Sequence, residues 1–312
     1  MSLLSWNCRR LGNSGTILIL RKITKEKCPN LVFLVETKSN KTRMETVRQA
    51  LKFDGCFVVE SVGLCGGIAI LWKEEWQVRV INYTKWHISA MVMDKTDCIP
   101  WQFIGFYGHP ETGKRNGSWE LLKILKPEPR IPWVCAGDFN EILHQREKVG
   151  GQGRPYKQIE KFRQALEQCG IRDLTYSGQR YTWSNNRRGK GFTKERIDRA
   201  MANKEWLELF PFALCYVLAA VKSDHSPLII SILHNSGGGS RKQRIFRYEA
   251  AWDLREDSAL VLEQAWKRNG MGGDLAESLR EKLESCQKGL TRWVKSHNQD
   301  EKKNHSNLDQ DQ

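Results

Sequence analysis

Seven positions in this 312-residue chain carry side chains suited to breaking a phosphoester, and all but Asp198, which sits within a strand-like stretch, fall beside the end of a predicted strand. Asn7 follows the first apolar run in SWNCRRLG, and Glu36 closes LVFLVE. Asp138 and Asn140 follow WVCA in GDFN. Asp198 sits in RIDR, and Asp224 and His225 precede the last strand in SDHSP. Cleaving a phosphodiester requires a metal to neutralise the phosphate and a base to activate water. It also requires donors that stabilise the pentacovalent charge and the departing oxygen. Magnesium takes few protein carboxylates and keeps several waters. Separate carboxylates with Asn and His nearby meet that demand, and polar residues at strand ends gather at one rim of a sheet.

Each residue taken alone has a plainer use. Asn7 and GDFN could be turn residues. Glu36 beside Lys38 could be a solvated strand end. Asp198 between Arg196 and Arg199 could form surface ion pairs of little worth. SDH could cap a helix; a Ser-His-Asp triad lacks the GxSxG elbow it needs. The inference rests on their joint, ordered appearance.

The elements that must position them alternate in type. Strands are expected at Leu3–Cys8, Leu31–Glu36, Phe57–Val62, Gly66–Trp72, Val78–Tyr83, Ile88–Asp94, Trp101–Tyr107, Trp133–Ala136 and Leu228–Leu233. Helices are expected over 14–27, 41–52, 115–125 and 156–169, the last with Ile159, Phe162, Leu166 and Cys169 on one face. Tyr181–Ser184 and Glu195–Arg199 read as arms of a hairpin around NNRRGKG. Many strands with interleaved helices imply an α/β fold of two packed sheets flanked by helices, over residues 1–234. Residues 235–244 (NSGGGSRKQR) have linker composition. Residues 245–295 read as helical, with Leu275, Leu279, Leu283, Leu290 and Trp293 in an apolar stripe, and 296–312 as a disordered tail.

The formal net charge is +14, from 50 Lys+Arg against 36 Asp+Glu. Residues 1–240 hold 36 basic and 23 acidic side chains, so nearly all the surplus lies there. Such a surplus draws polyanions. Nine scattered cysteines without a CxxC pair argue against zinc and for buried thiols in a reducing compartment. No signal-peptide pattern and no apolar stretch of membrane-spanning length is visible. A nuclear or cytoplasmic monomer with no membrane and no obligate protein partner is expected.

The motifs WNCRRLG, VETK, FYGHP, GDFN, YTWSN, RIDR and SDHSP resemble those of the endonuclease/exonuclease/phosphatase family, which includes DNase I. Closer still, CGGIAILWK, WVCAGDFNEIL, KVGG and KERIDR are similar to the N-terminal endonuclease of plant LINE-type (non-LTR) retrotransposon polyproteins. Residues 245–266 resemble the segment that joins that endonuclease to reverse transcriptase, although no YxDD motif follows. The resemblance implies a DNase I-like four-layer α/β sandwich of two mainly antiparallel sheets, plus a helical C-terminal extension. It implies an endonuclease acting on DNA with magnesium, manganese being an alternative. Glu36 would hold the metal with Asn7 beside it, and Asp224 would support the metal or the catalytic histidine. Asp138 would deprotonate the attacking water, and Asn140 and His225 would contact the phosphate. Asp198 would orient His225, and Tyr107 would touch the phosphate or leaving group. Arg10 departs from the family's usual glycine, and could crowd the turn or add a phosphate contact.

The loop 185–191 adds a separate expectation. Arg187, Arg188 and Lys190 at a hairpin tip, preceded by Thr182 and Trp183, suit an arm that enters a DNA groove. Two rival readings stay open. One is a phosphatase of the same fold acting on another phosphoester. The other is a nucleic-acid-binding remnant that has lost catalysis.

Overall fold

A five-residue strand that is apolar on both faces, Leu31–Val35, belongs in the middle of a sheet covered on both sides. The computed structural model places it there. It describes residues 1–61, 63, 66–94, 99–232, 256–267, 282–283 and 285–293. The first compact unit spans Met1–Ser236. In chain order it runs β1 (Ser2–Asn7), α1 (Ser14–Lys27), β2 (Leu31–Val35), α2 (Lys41–Leu51), β3 (Gly55–Val59), β4 (Ile68–Trp72), β5 (Trp76–Thr84), β6 (His87–Asp94) and β7 (Trp101–Tyr107). It continues with α3 (Arg115–Ile124), β8 (Trp133–Asp138), β9 (Lys148–Val149), α4 (Tyr156–Cys169), β10 (Ile171–Asp173), β11 (Tyr176–Gly178) and β12 (Trp183–Ser184). Then come β13 (Lys194–Glu195), β14 (Asp198–Asn203), α5 (Lys204–Leu209), β15 (Leu214–Val217) and β16 (Leu228–Ser231).

Seven strands form one sheet in the order β11-β15-β16-β1-β2-β4-β3, and six form another, β10-β14-β8-β7-β6-β5. Both are mixed: β1–β2, β7–β8 and β11–β15 pair parallel, and the other neighbours in these two sheets pair antiparallel. The sheets pack face to face over a core that includes Phe33, Ile70, Phe103, Val134, Leu228 and Trp206. Phe33 meets Phe103 edge-on, with ring centroids 5.8 Å apart. Truncating a ring buried this completely costs about 3–5 kcal/mol.

Helices cover the outer faces. On the seven-stranded sheet, Leu20 of α1 and Met44 and Val47 of α2 pack on Leu4, Trp6 and Val32. On the other, Trp119 of α3 stacks on Phe162 of α4 at 4.4 Å. The helices end as their sequences dictate. The Asn40 side chain accepts from the Arg43 N–H and starts α2, and Gly170 in the left-handed region stops α4. The result is the four-layer α/β sandwich.

Four strands and one helix escaped the sequence reading: β9, β10, β11, β15 and α5. Each is two to six residues long, too short to display a period. The expected arm Glu195–Arg199 is corrected. Pairing with β12 ends at Glu195, and β14 begins separately at Asp198 and runs through the sheet to Asn203. The break occurs because the Thr182 hydroxyl oxygen accepts from the N–H groups of both Ile197 and Asp198, at 3.0 and 2.9 Å. Val62, Leu233, the linker 235–244, most of the helical segment 245–295 and the tail 296–312 lie outside the described residues.

The second unit spans Gly237–Gln312. Its described part includes α6 (Glu256–Lys267). Trp293 Nε1 donates to Asp257 at 2.9 Å, and Leu290 and Cys286 are buried. Leu283, expected in the apolar stripe, is exposed. No described helix is long and apolar enough to cross a membrane.

Candidate active site

Strand register assembles half of the site. β7 pairs with β8 so that Tyr107 lies opposite Asp138, and β8 pairs with β14 so that Asp138 lies opposite Asp198. Residues directly opposite share a face, so three polar side chains stand in a row at one end of the six-stranded sheet. The other sheet supplies the rest. Asn7 ends β1, opposite Val35, and Glu36 follows one step beyond. Asp224 and His225 arrive on the segment entering β16.

The two groups interlock. Asn7 Nδ2 donates to Glu36 Oε1 at 3.2 Å and to Asp138 Oδ2 at 3.0 Å. The Tyr107 hydroxyl donates to Glu36 Oε1 at 3.0 Å. His225 Nδ1 lies 3.0 and 3.1 Å from the two oxygens of Asp198, and 3.9 Å from Asp138 Oδ2. Asp138 Oδ1 accepts from the Asn140 N–H at 2.9 Å, an Asx turn within GDFN. The turn reading and the site reading of that motif are therefore both fulfilled. Trp6 Nε1 donates to the His225 carbonyl at 3.1 Å and anchors the histidine to β1.

The backbone is bent to present these groups. Glu36 (φ 52°) and Asn140 (φ 56°) occupy the left-handed region, as do Arg9 (φ 56°) and Lys38 (φ 47°). Non-glycine residues in that region each cost on the order of 1 kcal/mol and cluster at functional sites. A Cβ at Gly108 would meet the Phe139 carbonyl oxygen at 2.3 Å. Glycine alone lets the chain leaving β7 pass the GDFN turn, and there the Asn140 amide donates to the Gly108 carbonyl at 2.8 Å.

Burial sets the protonation states. Asp138 is fully buried, which pushes its carboxyl up to about 7, with the nearby Asp198 charge adding to the effect. Burial opposes the His225 imidazolium, but the charges of Asp198 and Asp138 outweigh it and hold His225 at about 9. At neutral pH the pair offers a poised base beside a protonated imidazole. Burial and the Glu36 charge push Tyr107 up, so its hydroxyl stays a donor.

Two groupings could hold a cation. Asn7, Glu36 and Asp224 present oxygen ligands, the chemistry that magnesium and manganese prefer. Asp224 Oδ1 is buried without a hydrogen bond, although Arg9 Nε stands 3.3 Å away outside hydrogen-bonding geometry. The same Nε lies 3.8 Å from Glu36 Oε2, and Lys38 Nζ lies 3.7 Å from it. These carboxylates therefore already attract positive charge. Ligand atoms of Asp138, Asp198 and His225 also lie within 4.8 Å of one another. There Asp198 is committed to the imidazole through both oxygens, which suits proton transfer better than metal binding.

The remaining expected residues divide. Trp183 is half-buried and donates Nε1 to Asp224 Oδ2 at 2.9 Å. Arg187 and Arg188 are exposed at the hairpin tip, and Lys190 lies in its short helical turn Gly189–Gly191. Thr182, expected to meet DNA, is only 1% exposed. Its hydroxyl instead pins the start of the Asp198 strand. Arg196 and Arg199 do not pair with Asp198. They are buried on Asp173, and Arg199 also on Glu147. Arg10 is exposed and does not crowd the buried cluster. The arginine at the site is Arg9, which nothing in the sequence distinguished from its neighbour.

The model of the Endonuclease/Exonuclease/phosphatase family matches residues 4–225. Three solved structures share the fold. The endonuclease domain of TRAS1, a telomere-specific non-LTR retrotransposon, is 14% identical with a TM-score of 0.54, covering 75% of this chain and 99% of its own. An AP endonuclease from Archaeoglobus fulgidus is 19% identical with a TM-score of 0.58, covering 74% and 99%. A 3'-5' exonuclease from Neisseria meningitidis is 16% identical with a TM-score of 0.56, covering 74% and 99%. No curated protein matches the chain.

Proposed function

The chain belongs to the endonuclease/exonuclease/phosphatase family, and from that premise we propose that it is a magnesium-dependent endonuclease that hydrolyses DNA phosphodiester bonds, of the target-nicking, retrotransposon-derived type. One observation carries the reading. The interlocked cluster Glu36–Tyr107–Asn7–Asp138–Asp198–His225 adjoins, at Trp183 beside His225, the root of a hairpin whose exposed tip bears Arg187 and Arg188. A phosphatase for small soluble esters has no use for that basic arm, and the intact hydrogen bonds speak against a decayed remnant.

The residues divide the work. Asp198 orients His225, whose imidazolium donates to a non-bridging phosphate oxygen through Nε2. Asp138 takes a proton from the attacking water, and the new P–O bond forms as the opposite one breaks. The Asn140 side-chain amide, and the Tyr107 hydroxyl once it turns from Glu36, are donors to the phosphate or the departing oxygen. A divalent cation held by Glu36, Asn7 and Asp224 would supply charge neutralisation on the phosphate. Arg187, Arg188 and Lys190 grip the DNA backbone or groove, and Trp183 fixes the hairpin root to Asp224.

The test is nicking of supercoiled plasmid by the wild type, Glu36→Ala and His225→Ala, with magnesium and with EDTA. Nicking is expected from the wild type with magnesium only. Nicking that survives EDTA or both substitutions rejects the mechanism. Phosphate release from inositol phosphates in place of nicking would favour the phosphatase.

A further inference from the structure

The mechanism above leaves a run of buried and half-buried charges unused. It starts at the first residue of α3. Arg115 donates Nη1 to Glu141 Oε2 at 3.0 Å, Nε to the His109 carbonyl at 3.3 Å and Nη2 to the Pro110 carbonyl at 3.0 Å. Glu141 directly follows Asn140 and is fully buried. Its other oxygen, Oε1, accepts from the Ile142 N–H at 3.0 Å and faces Arg154 Nη1 at 3.7 Å. Arg154 Nη2 donates to Glu195 Oε2, and Lys148 Nζ donates to Glu195 Oε1.

Glu195 lies in β13, opposite Trp183, at the root of the basic hairpin. Five charges of alternating sign therefore run from the Asn140 turn to that root. The loop that supplies Arg154 is seated on the hairpin itself. A Cβ at Gly150 would meet the Phe192 carbonyl oxygen at 1.9 Å, so glycine is required at this contact. β9 also pairs with β13, Glu195 lying opposite Lys148.

Such a chain is a poor way to gain stability. Taking charges out of water costs about as much as their attraction returns, and apolar replacements of the same shape often serve as well. What paired charges do supply is direction, because a planar guanidinium held by several acceptors at once, as Arg115 is, tolerates little displacement.

We propose that the relay Arg115–Glu141–Arg154–Glu195–Lys148 is a positioning device that fixes the hairpin relative to the Asn140 turn and so sets where bound DNA lies against the site. Arg154 and Glu195 are its central links. This rests on the hairpin being a DNA-binding arm. The relay touches no reacting atom, so weakening it shifts the placement of DNA and leaves the chemical step intact.

The experiment uses the full chain, a labelled duplex, and hydroxyl-radical footprinting beside mapping of cut positions. Glu195→Gln keeps the shape and removes one charge. Its footprint boundary is expected to blur or shift, its cuts to spread over neighbouring positions, and its KM to rise about tenfold with kcat within about twofold. Arg154→Lys, which keeps the cation, is expected to restore part of the pattern relative to Arg154→Ala. Should Glu195→Gln fail to fold, Lys148→Met removes the terminal charge and leaves Glu195 paired with Arg154. An unchanged footprint and KM in a folded variant overturns the proposal. The Arg187→Ala/Arg188→Ala double variant separates the two failures. If it leaves the footprint unchanged, the arm does not bind DNA and the premise falls. If it alters the footprint and the relay variants do not, the positioning proposal alone falls. The footprint reads placement even where no DNA is cut.

Discussion

The centre and the arm of this protein are built by opposite means. The centre hangs on the ends of long core strands, and its side chains are fixed by apolar packing beneath and by strand register. The arm is a three-stranded ribbon, β12-β13-β9, whose strands have two residues each. Its one apolar anchor among the described residues is Trp183, packed on the small cluster Ile142, Ile159 and Ile197, and paired charges such as Glu195 with Arg154 and Lys148 hold the rest. Chemistry demands placement within tenths of an ångström, which a packed sheet supplies without adjustment. Grip on a polymer demands reach and charge at the surface, which a ribbon supplies with few residues. A fault in the centre should therefore stop the reaction, whereas a fault in the arm should misdirect it.

The largest expected effect tests the centre. Glu36→Ala and His225→Ala should each lower the nicking rate by about 10³-fold while DNA binding measured by gel shift is retained. Loss of binding along with nicking would dissolve the distinction between the two regions. Next comes Asp198→Asn, expected to cost about 10²-fold. Removing its charge lowers the His225 pKa from about 9, so the alkaline limb of the pH–rate profile should move to lower pH. An unmoved limb would mean that the His225 imidazolium is not the donor the reaction needs.

The arm should respond less. Arg187→Ala with Arg188→Ala should weaken DNA binding by about tenfold at moderate salt, and reduce the slope of log affinity against log salt by about two. An unchanged slope would remove the arm from DNA recognition. The smallest effect sharpens the account of the core-built half. His87 in β6 is buried between Thr84 and Asn82, and burial lowers its pKa from 6.5 to about 4. The folded state prefers neutral His87, so its contribution to stability is present above pH 6.5 and is lost as pH falls toward 4. His87→Gln should lose less melting temperature than the wild type between pH 7 and pH 5.

Much of the centre was legible because strand ends are legible. Leu31–Val35 and Trp133–Ala136 announce themselves by composition, so Glu36 and Asp138 could be placed at strand ends. The partners of those residues were not legible. Nothing local says that Asn7 spans Glu36 and Asp138, because that bond joins residues 131 positions apart. Thr182 was misread for the same reason: a hydroxyl in YTWSN looks available until the strand that consumes it is folded against it. The arm was legible as charge and loop but not as construction. Its strands are too short for a period, and the relay through Arg154 and Glu195 joins side chains that alternate in sign only in space. The left-handed backbone at Glu36 and Lys38 is invisible too, since neither residue type advertises it.

The alignment of Tyr107, Asp138 and Asp198 across three strands has a consequence for how this molecule can vary. One residue inserted into β7, β8 or β14 would turn every side chain beyond it to the opposite face and scatter the row. The stretch between Trp183 and Glu195 carries no such penalty, because a hairpin can lengthen at its tip while its root stays paired. The chain thus separates a part that is closed to length change from a part that is open to it. On the proposed reading, contacts to DNA can vary in the open part while the aligned row of side chains stays as it is.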